Sequence, residues 1–145
     1  MKFQVQQIDH TEVFVPDRYE AAEWYERTLG MTVALEHEHW ASEPDGPLMI
    51  SSDGGNTMIA LFVGVPLGRE KERGIYRIAF RVDCAGFIKF LIHGPSAGVY
   101  NRKGEKLEKL KVVDHDKAWS VYFTDPWGNK LEVTSYDYDV IKTRL

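Results

Sequence analysis

The order strand, helix, strands occurs twice along this chain, once on each side of a charged connector, Val65 to Gly74. A doubled unit of this kind restricts the fold more than any single residue does. In the first half, Val5 to Val15 is β-prone and Pro16-Asp17 ends it. Asp17 with Glu20 has the spacing of a capping box, so a helix is predicted from Asp17 onward. Ala21, Tyr25 and Leu29 fall on one apolar stripe, and Gly30 stands where a helix ends. Met31–Trp40, Leu48–Ser51 and Thr57–Val63 are predicted strands. Turn residues separate them at Glu43-Pro44-Asp45-Gly46 and Asp53-Gly54-Gly55-Asn56.

The second half restarts with a strand over Tyr76–Val82. Asp83 caps a helix with a Phe87, Phe90 and Leu91 face, and His93-Gly94-Pro95 is predicted to stop it. Strands are predicted near Gly98–Asn101, Leu107–Val113, Trp119–Thr124 and Lys130–Ser135. Asp125-Pro126-Trp127-Gly128-Asn129 is a hairpin turn between the last two. The tail, Tyr136 to Leu145, is read as peripheral. The expectation is an α+β fold of two βαβββ modules, about residues 5–64 and 75–137. They make one 145-residue domain with a cupped, mostly antiparallel sheet around a cleft.

A net charge of −4 argues against nucleic acid as the main partner. Lys103, Lys106, Lys109 and Lys111 form a basic stretch, but Glu105 and Glu108 interrupt it, as on a solvated strand face. No apolar run approaches the roughly 20 residues of a membrane span. Met1 to Gln7 lacks the apolar core of a signal peptide. Cys84, the single cysteine, can form no internal disulfide, so a cytoplasmic protein is expected. It is read as a small structural residue.

Ile8-Asp9-His10, Phe14-Val15-Pro16-Asp17, Trp24-Tyr25 and Leu29-Gly30 together resemble the first module of the vicinal oxygen chelate superfamily. That is the group of glyoxalases, bleomycin resistance proteins and ring-cleaving dioxygenases. Arg77 to Asp83 resembles the start of its second module, and Val121 to Val133 its last hairpin and strand. The resemblance covers about residues 7–137. It implies a small-molecule site and, in many members, a divalent metal (Fe, Mn, Zn or Ni) held by residues from the first and last strand of each module. Carried over, His10 and Glu132 occupy two ligand positions. Ala60 and Arg77 occupy the other two, and neither can serve as a ligand.

Two alternatives follow. In the first, Glu12, two residues after His10 on one strand face, completes a His10, Glu12 and Glu132 set suited to Fe(II) or Mn(II). The protein is then a metal-dependent lyase or dioxygenase in which Glu12 or His115 moves protons. In the second, Arg77 lies against Glu132 and the pair replaces the ion. The protein is then a metal-free binder of drug-sequestering type, or a metal-free enzyme in which Arg77 stabilises an oxyanion. Enzyme status stays open.

Alternation puts Met58, Ala60 and Phe62 on one face of the cavity wall and adds Tyr122, while Trp127, at a turn, would cap the pocket or pack at a dimer contact. The expected ligand is a small aromatic or carbonyl-bearing molecule, and a homodimer is expected by the same resemblance. His37 and His39 share a face if Met31–Trp40 is a strand. They would then chelate a metal or polarise a carbonyl, or simply emerge into solvent.

Overall fold

The computed structural model describes residues 7–66, 75 and 77–145. It divides into two compact units, residues 1–66 and 67–145. In the first, β1 (His10–Val15) leads through α1 (Arg18–Leu29) to β2 (Thr32–Val33), a 3-10 helix (Leu35–Ser42), β3 (Leu48–Ser51) and β4 (Met58–Val63). In the second, β5 (Ile78–Arg81) leads through α2 (Cys84–Ala97) to β6 (Val112–Asp114), β7 (Trp119–Thr124), β8 (Lys130–Ser135) and a short α3 (Tyr138–Lys142). The two four-stranded sheets have equivalent orders, β1-β4-β3-β2 and β5-β8-β7-β6. In each, the first and last strands pair in parallel and the other neighbours are antiparallel. The predicted βαβββ repeat and α+β class are therefore present.

Local chemistry accounts for the elements that match expectation. The Asp17 carboxylate accepts from Tyr19 N and Glu20 N at 2.9 Å, satisfying donors that an α-helix leaves open at its start. Gly30 closes α1 with φ 67°, a left-handed value that disfavours side chains. Helix α1 buries Ala21, Ala22, Trp24 and Tyr25. Asp83 likewise accepts from Gly86 N at 2.8 Å to begin α2.

Four expectations need correction. Strand pairing after Met31 lasts only for Thr32–Val33, and a 3-10 helix replaces the rest of the predicted Met31–Trp40 strand. The partner strand starts only at Leu48, after Pro47, which has no N–H to give a ladder. Arg18 also turns the chain inward, donating to the carbonyls of Ala41, Glu43 and Gly46. Second, Pro95 does not stop α2, which continues to Ala97 and ends at Gly98. Pro95 lies in the last turn, where its fixed φ is helical and its missing N–H removes only the one bond back to the carbonyl of Leu91.

Third, residues 98–111 form a loop with isolated bridges from Tyr100 to Lys106 and to Thr124 of β7, and of the predicted Leu107–Val113 strand only Val112 and Val113 pair, in β6. The Asn101 side chain bends the loop by accepting from Lys103 N and Glu105 N. Fourth, the tail is not peripheral. Ile141 is fully buried, the Tyr138 ring stacks on Trp119 at 5.1 Å, and Asp137 accepts from Cys84 N. The start of the predicted first strand and most of the connector, with Tyr76, lie outside the described residues. Among the described residues, no helix is long and apolar enough to cross a membrane.

Candidate functional site

In the first unit, parallel pairing sets His10 opposite Met58, Glu12 opposite Ala60 and Phe14 opposite Phe62. Paired residues project to one face of a sheet, so His10 and Glu12 share a face with these apolar groups, as alternation predicts. Met58 and Ala60 lie in a buried cluster with Ala34 and Met49, and Phe62 packs against it. The imidazole of His10 is gripped from two sides. Asp9 Oδ2 lies 2.7 Å from Nδ1, and Glu12 Oε1 lies 3.4 Å from Nε2. Asp9 was not foreseen as a partner. It precedes β1, so no strand alternation governs where its side chain goes.

The Asp9 hydrogen bond raises the His10 pKa above its usual 6.5, partial desolvation opposes the rise, and Glu12 adds to it. The imidazolium is thus favoured in the folded state. Its contribution to stability is fully present below pH 6.5 and lost as pH rises through the folded value. Asp9→Asn is expected to lower the His10 midpoint in an NMR titration and to flatten this loss. An unchanged midpoint would show that Asp9 does not hold the ring.

Asp9 orients the ring as outer carboxylates orient metal-bound histidines. The donor count nevertheless falls short. Among the described residues, no three His, Cys, Asp or Glu side chains group as an ion would require. Catalytic sites usually supply three. Within either unit alone, the described residues group fewer donors than the three a divalent metal usually takes from protein.

In the second unit, the same logic places Tyr122 opposite Glu132, and Glu132 opposite Ala79. The Arg77 guanidinium lies over the Tyr122 ring, 4.4 Å from its centre. A planar cation on an aromatic face is a favourable contact that also fixes the guanidinium plane. At the ring's other end, His115 Nε2 lies 2.7 Å from the Tyr122 hydroxyl. The loop between β6 and β7 positions His115, whose N–H donates to Ala118 O at 2.9 Å. Arg77, Tyr122 and His115 thus form one contiguous set, with Glu132 beside Tyr122 on the adjoining strand.

Trp127 sits in the β7–β8 turn, where its N–H donates to Asp125. His37 and His39 belong to the 3-10 helix and lie against Trp40. His37 stacks on it at 4.5 Å, and His39 tilts to it at 5.2 Å. The strand-based reason for pairing them on an inward face is gone.

A cavity of about 150 Å³ opens against this set, lined by Arg77, Tyr122, Thr124, Lys130, Asn101 and Arg102 among others. Sequence reading missed Asn101, Arg102, Phe123, Thr124 and Lys130. Lys130 had a signal, because it alternates with Glu132 on β8. Asn101 and Arg102 lie in an irregular loop, where periodicity gives none.

A family model described as the Glyoxalase/Bleomycin resistance protein/Dioxygenase superfamily matches residues 7–91. No curated protein matches the sequence. Among solved structures, an integron cassette protein from the mobile metagenome of a Halifax Harbour sewage outfall is 22% identical. It covers 90% of this chain and 99% of its own, with a TM-score of 0.64. A glyoxalase/dioxygenase from Nostoc punctiforme is 17% identical, covering 90% and 91%, with a TM-score of 0.63. The fosfomycin resistance protein FosX from Listeria monocytogenes is 15% identical, covering 98% and 100%, with a TM-score of 0.65. At these identities the structures share the fold. The family match spans more than half of the chain, which belongs to the glyoxalase/bleomycin resistance protein/dioxygenase superfamily.

Proposed function

We propose that this chain binds a small organic molecule, aromatic or carbonyl-bearing, and meets its oxygen-bearing group with Arg77 in place of a metal. The observation that carries this reading is the guanidinium set over Tyr122. Arginine stays protonated at any physiological pH, so it repels a divalent ion and attracts a partial or full negative charge. The aromatic face beneath holds it in one orientation, which favours directional hydrogen bonds to a carbonyl or oxyanion. Superfamily membership supports a small molecule as the ligand.

A second reading, an enzyme, is favoured by one contact. Tyr122 and His115 are hydrogen-bonded, and such a pair can pass a proton to or from a bound molecule. Arg77 would then stabilise the oxyanion that forms. A homodimer belongs to the same proposal, and light scattering in solution tests it.

Protein purified without chelator is expected to carry far less than one metal per chain and to keep its ligand affinity after chelator treatment. Arg77→Met is expected to weaken binding of carbonyl-bearing aromatics roughly tenfold or more, the loss of one charge-assisted interaction. Near-stoichiometric Zn, Mn, Fe or Ni, with affinity lost on its removal, would defeat the reading. It would restore His10, Glu132 and Glu12 as the ligand set to test.

A further inference from the structure

We propose that the cavity of the second unit is a subsite for a doubly charged tetrahedral oxyanion, a phosphoryl-type group that is either part of the ligand or free. This rests on the reading that the ligand meets Arg77, because Arg77 lines the cavity. Three cationic side chains, Arg77, Arg102 and Lys130, line it. They come from three separate places in the sequence: the approach to β5, the loop after α2 and the first residue of β8. A solvated basic run would place its charges on neighbouring residues of one element instead. No acidic side chain among the described residues lines the cavity. The chain as a whole carries a net charge of −4, so the local excess of positive charge runs against the protein's average. A concave site lined by one sign of charge concentrates its field on the counter-ion.

The walls are built before any ligand arrives. The loop bearing Arg102 is closed by Leu107 N donating to Val99 O at 2.8 Å and by Asn101 Nδ2 donating to Glu105 at 2.7 Å. It is fastened to β7 by two backbone hydrogen bonds between Tyr100 and Thr124, at 3.2 and 2.8 Å. Thr124 Oγ1 adds a third contact, donating to Asn101 O at 3.2 Å. Lys130 is largely buried and pairs in register with Thr124, so its stem has little freedom. The Tyr122 ring fixes Arg77. Cations held this way lose little further entropy when an anion binds.

Size and charge select the class of anion. A volume of about 150 Å³ is half of the roughly 300 Å³ at which pockets begin to hold drug-sized molecules. It is room for roughly five waters, enough for one headgroup but too little for an aromatic ring with its substituents. A lining with three cationic side chains attracts a dianion more strongly than it attracts a carboxylate.

The test titrates inorganic phosphate, methylphosphonate and acetate at fixed ionic strength, so that screening does not vary. The readouts are NMR signals of His115 and Tyr122 and the melting temperature. Phosphate and methylphosphonate are expected to bind saturably, and acetate roughly tenfold more weakly. Arg102 is exposed and lies on a loop, so its variants should fold, as circular dichroism would confirm. Arg102→Gln is expected to weaken phosphate roughly tenfold, and Arg102→Glu to abolish its binding. Phenyl phosphate binding more tightly than inorganic phosphate assigns the group to a larger ligand, and equal affinity assigns it to the free ion. Acetate binding as well as phosphate, or phosphate affinity unchanged in both Arg102 variants, overturns the subsite. If that occurs while Arg77→Met still loses organic ligands, the function proposed above survives alone. Phosphate binding through Arg102, with organic ligands indifferent to Arg77→Met, removes that function instead.

Discussion

Asp125→Ala is expected to destabilise the protein by about 3–4 kcal/mol, a large share of the roughly 5–15 kcal/mol that holds a domain of ordinary size folded. The side chain is fully buried in the turn between β7 and β8. One carboxylate oxygen accepts from Trp127 N at 3.0 Å and Asn129 N at 2.9 Å, and the other accepts from Asn129 Nδ2 at 2.7 Å. Alanine leaves these three donors without that acceptor, and Asn129 is too buried for water to replace it freely. An unsatisfied buried donor costs about 1–3 kcal/mol. Removing a buried carboxylate recovers part of that sum, so the net falls below the total for three donors. Asp125→Asn keeps an acceptor and should lose about half as much. Urea midpoints measure all three proteins, and a loss under about 1 kcal/mol for alanine would show that the turn holds without its carboxylate. Lys130 and Thr124 flank this turn and line the cavity. The alanine variant should therefore also bind phosphate more weakly at temperatures where it remains folded.

That turn is also where the sequence was most legible. Asp, Pro, Gly and Asn in one short run have few conformations open to them, and the strands on either side, Trp119–Thr124 and Lys130–Ser135, fall where the alternation puts them. The caps Asp17 and Asp83 were readable for the same reason: each supplies an acceptor to backbone donors within three residues. Legibility fails where a distant residue decides. Leu35 to Ser42 has nothing in its own sequence that calls for a 3-10 helix. Arg18, more than twenty residues earlier, takes the carbonyls that follow. Pro95 misleads in the opposite sense, since its fixed φ is helical and its missing N–H removes only the one bond back to the carbonyl of Leu91, so the last turn can still form.

The candidate site divides in the same way. His10 and Glu132 were placed by the family resemblance, and Glu12 and Tyr122 by counting along strands; register sets His10 and Glu12 on one face of the first sheet and Tyr122 beside Glu132 in the second. Arg102 could not be found by counting, because its position depends on how Asn101 folds its own loop and on the bridge from Tyr100 to Thr124. Asp9 was missed because a residue just outside a strand points where the local bend sends it.

Gly46→Ala is expected to detach the segment after the 3-10 helix and to cost about 2–4 kcal/mol, the range of a steric clash that side chains cannot relieve. A β-carbon added at Gly46 would lie 1.9 Å from the carbonyl oxygen of Trp40 and 2.9 Å from its carbon, both backbone atoms. Neither can move without opening the turn in which Gly46 N donates to Glu43 O at 3.0 Å. The close approach has a cause in Arg18, whose guanidinium gathers the carbonyls of Ala41, Glu43 and Gly46 around itself. Arg18→Gln should accordingly loosen the same segment, but by less, since it removes attraction without adding a clash. Trp40 reports on both variants. It is partly exposed and stacked on His37 with the planes 5° apart. Loss of the turn should shift its fluorescence to longer wavelength as water reaches the indole. The second unit should keep its phosphate response in Gly46→Ala, because that cavity draws no wall from this segment. Unchanged stability and an unshifted emission in Gly46→Ala would mean that the segment has another conformation of equal free energy, and that Arg18 does not fix it.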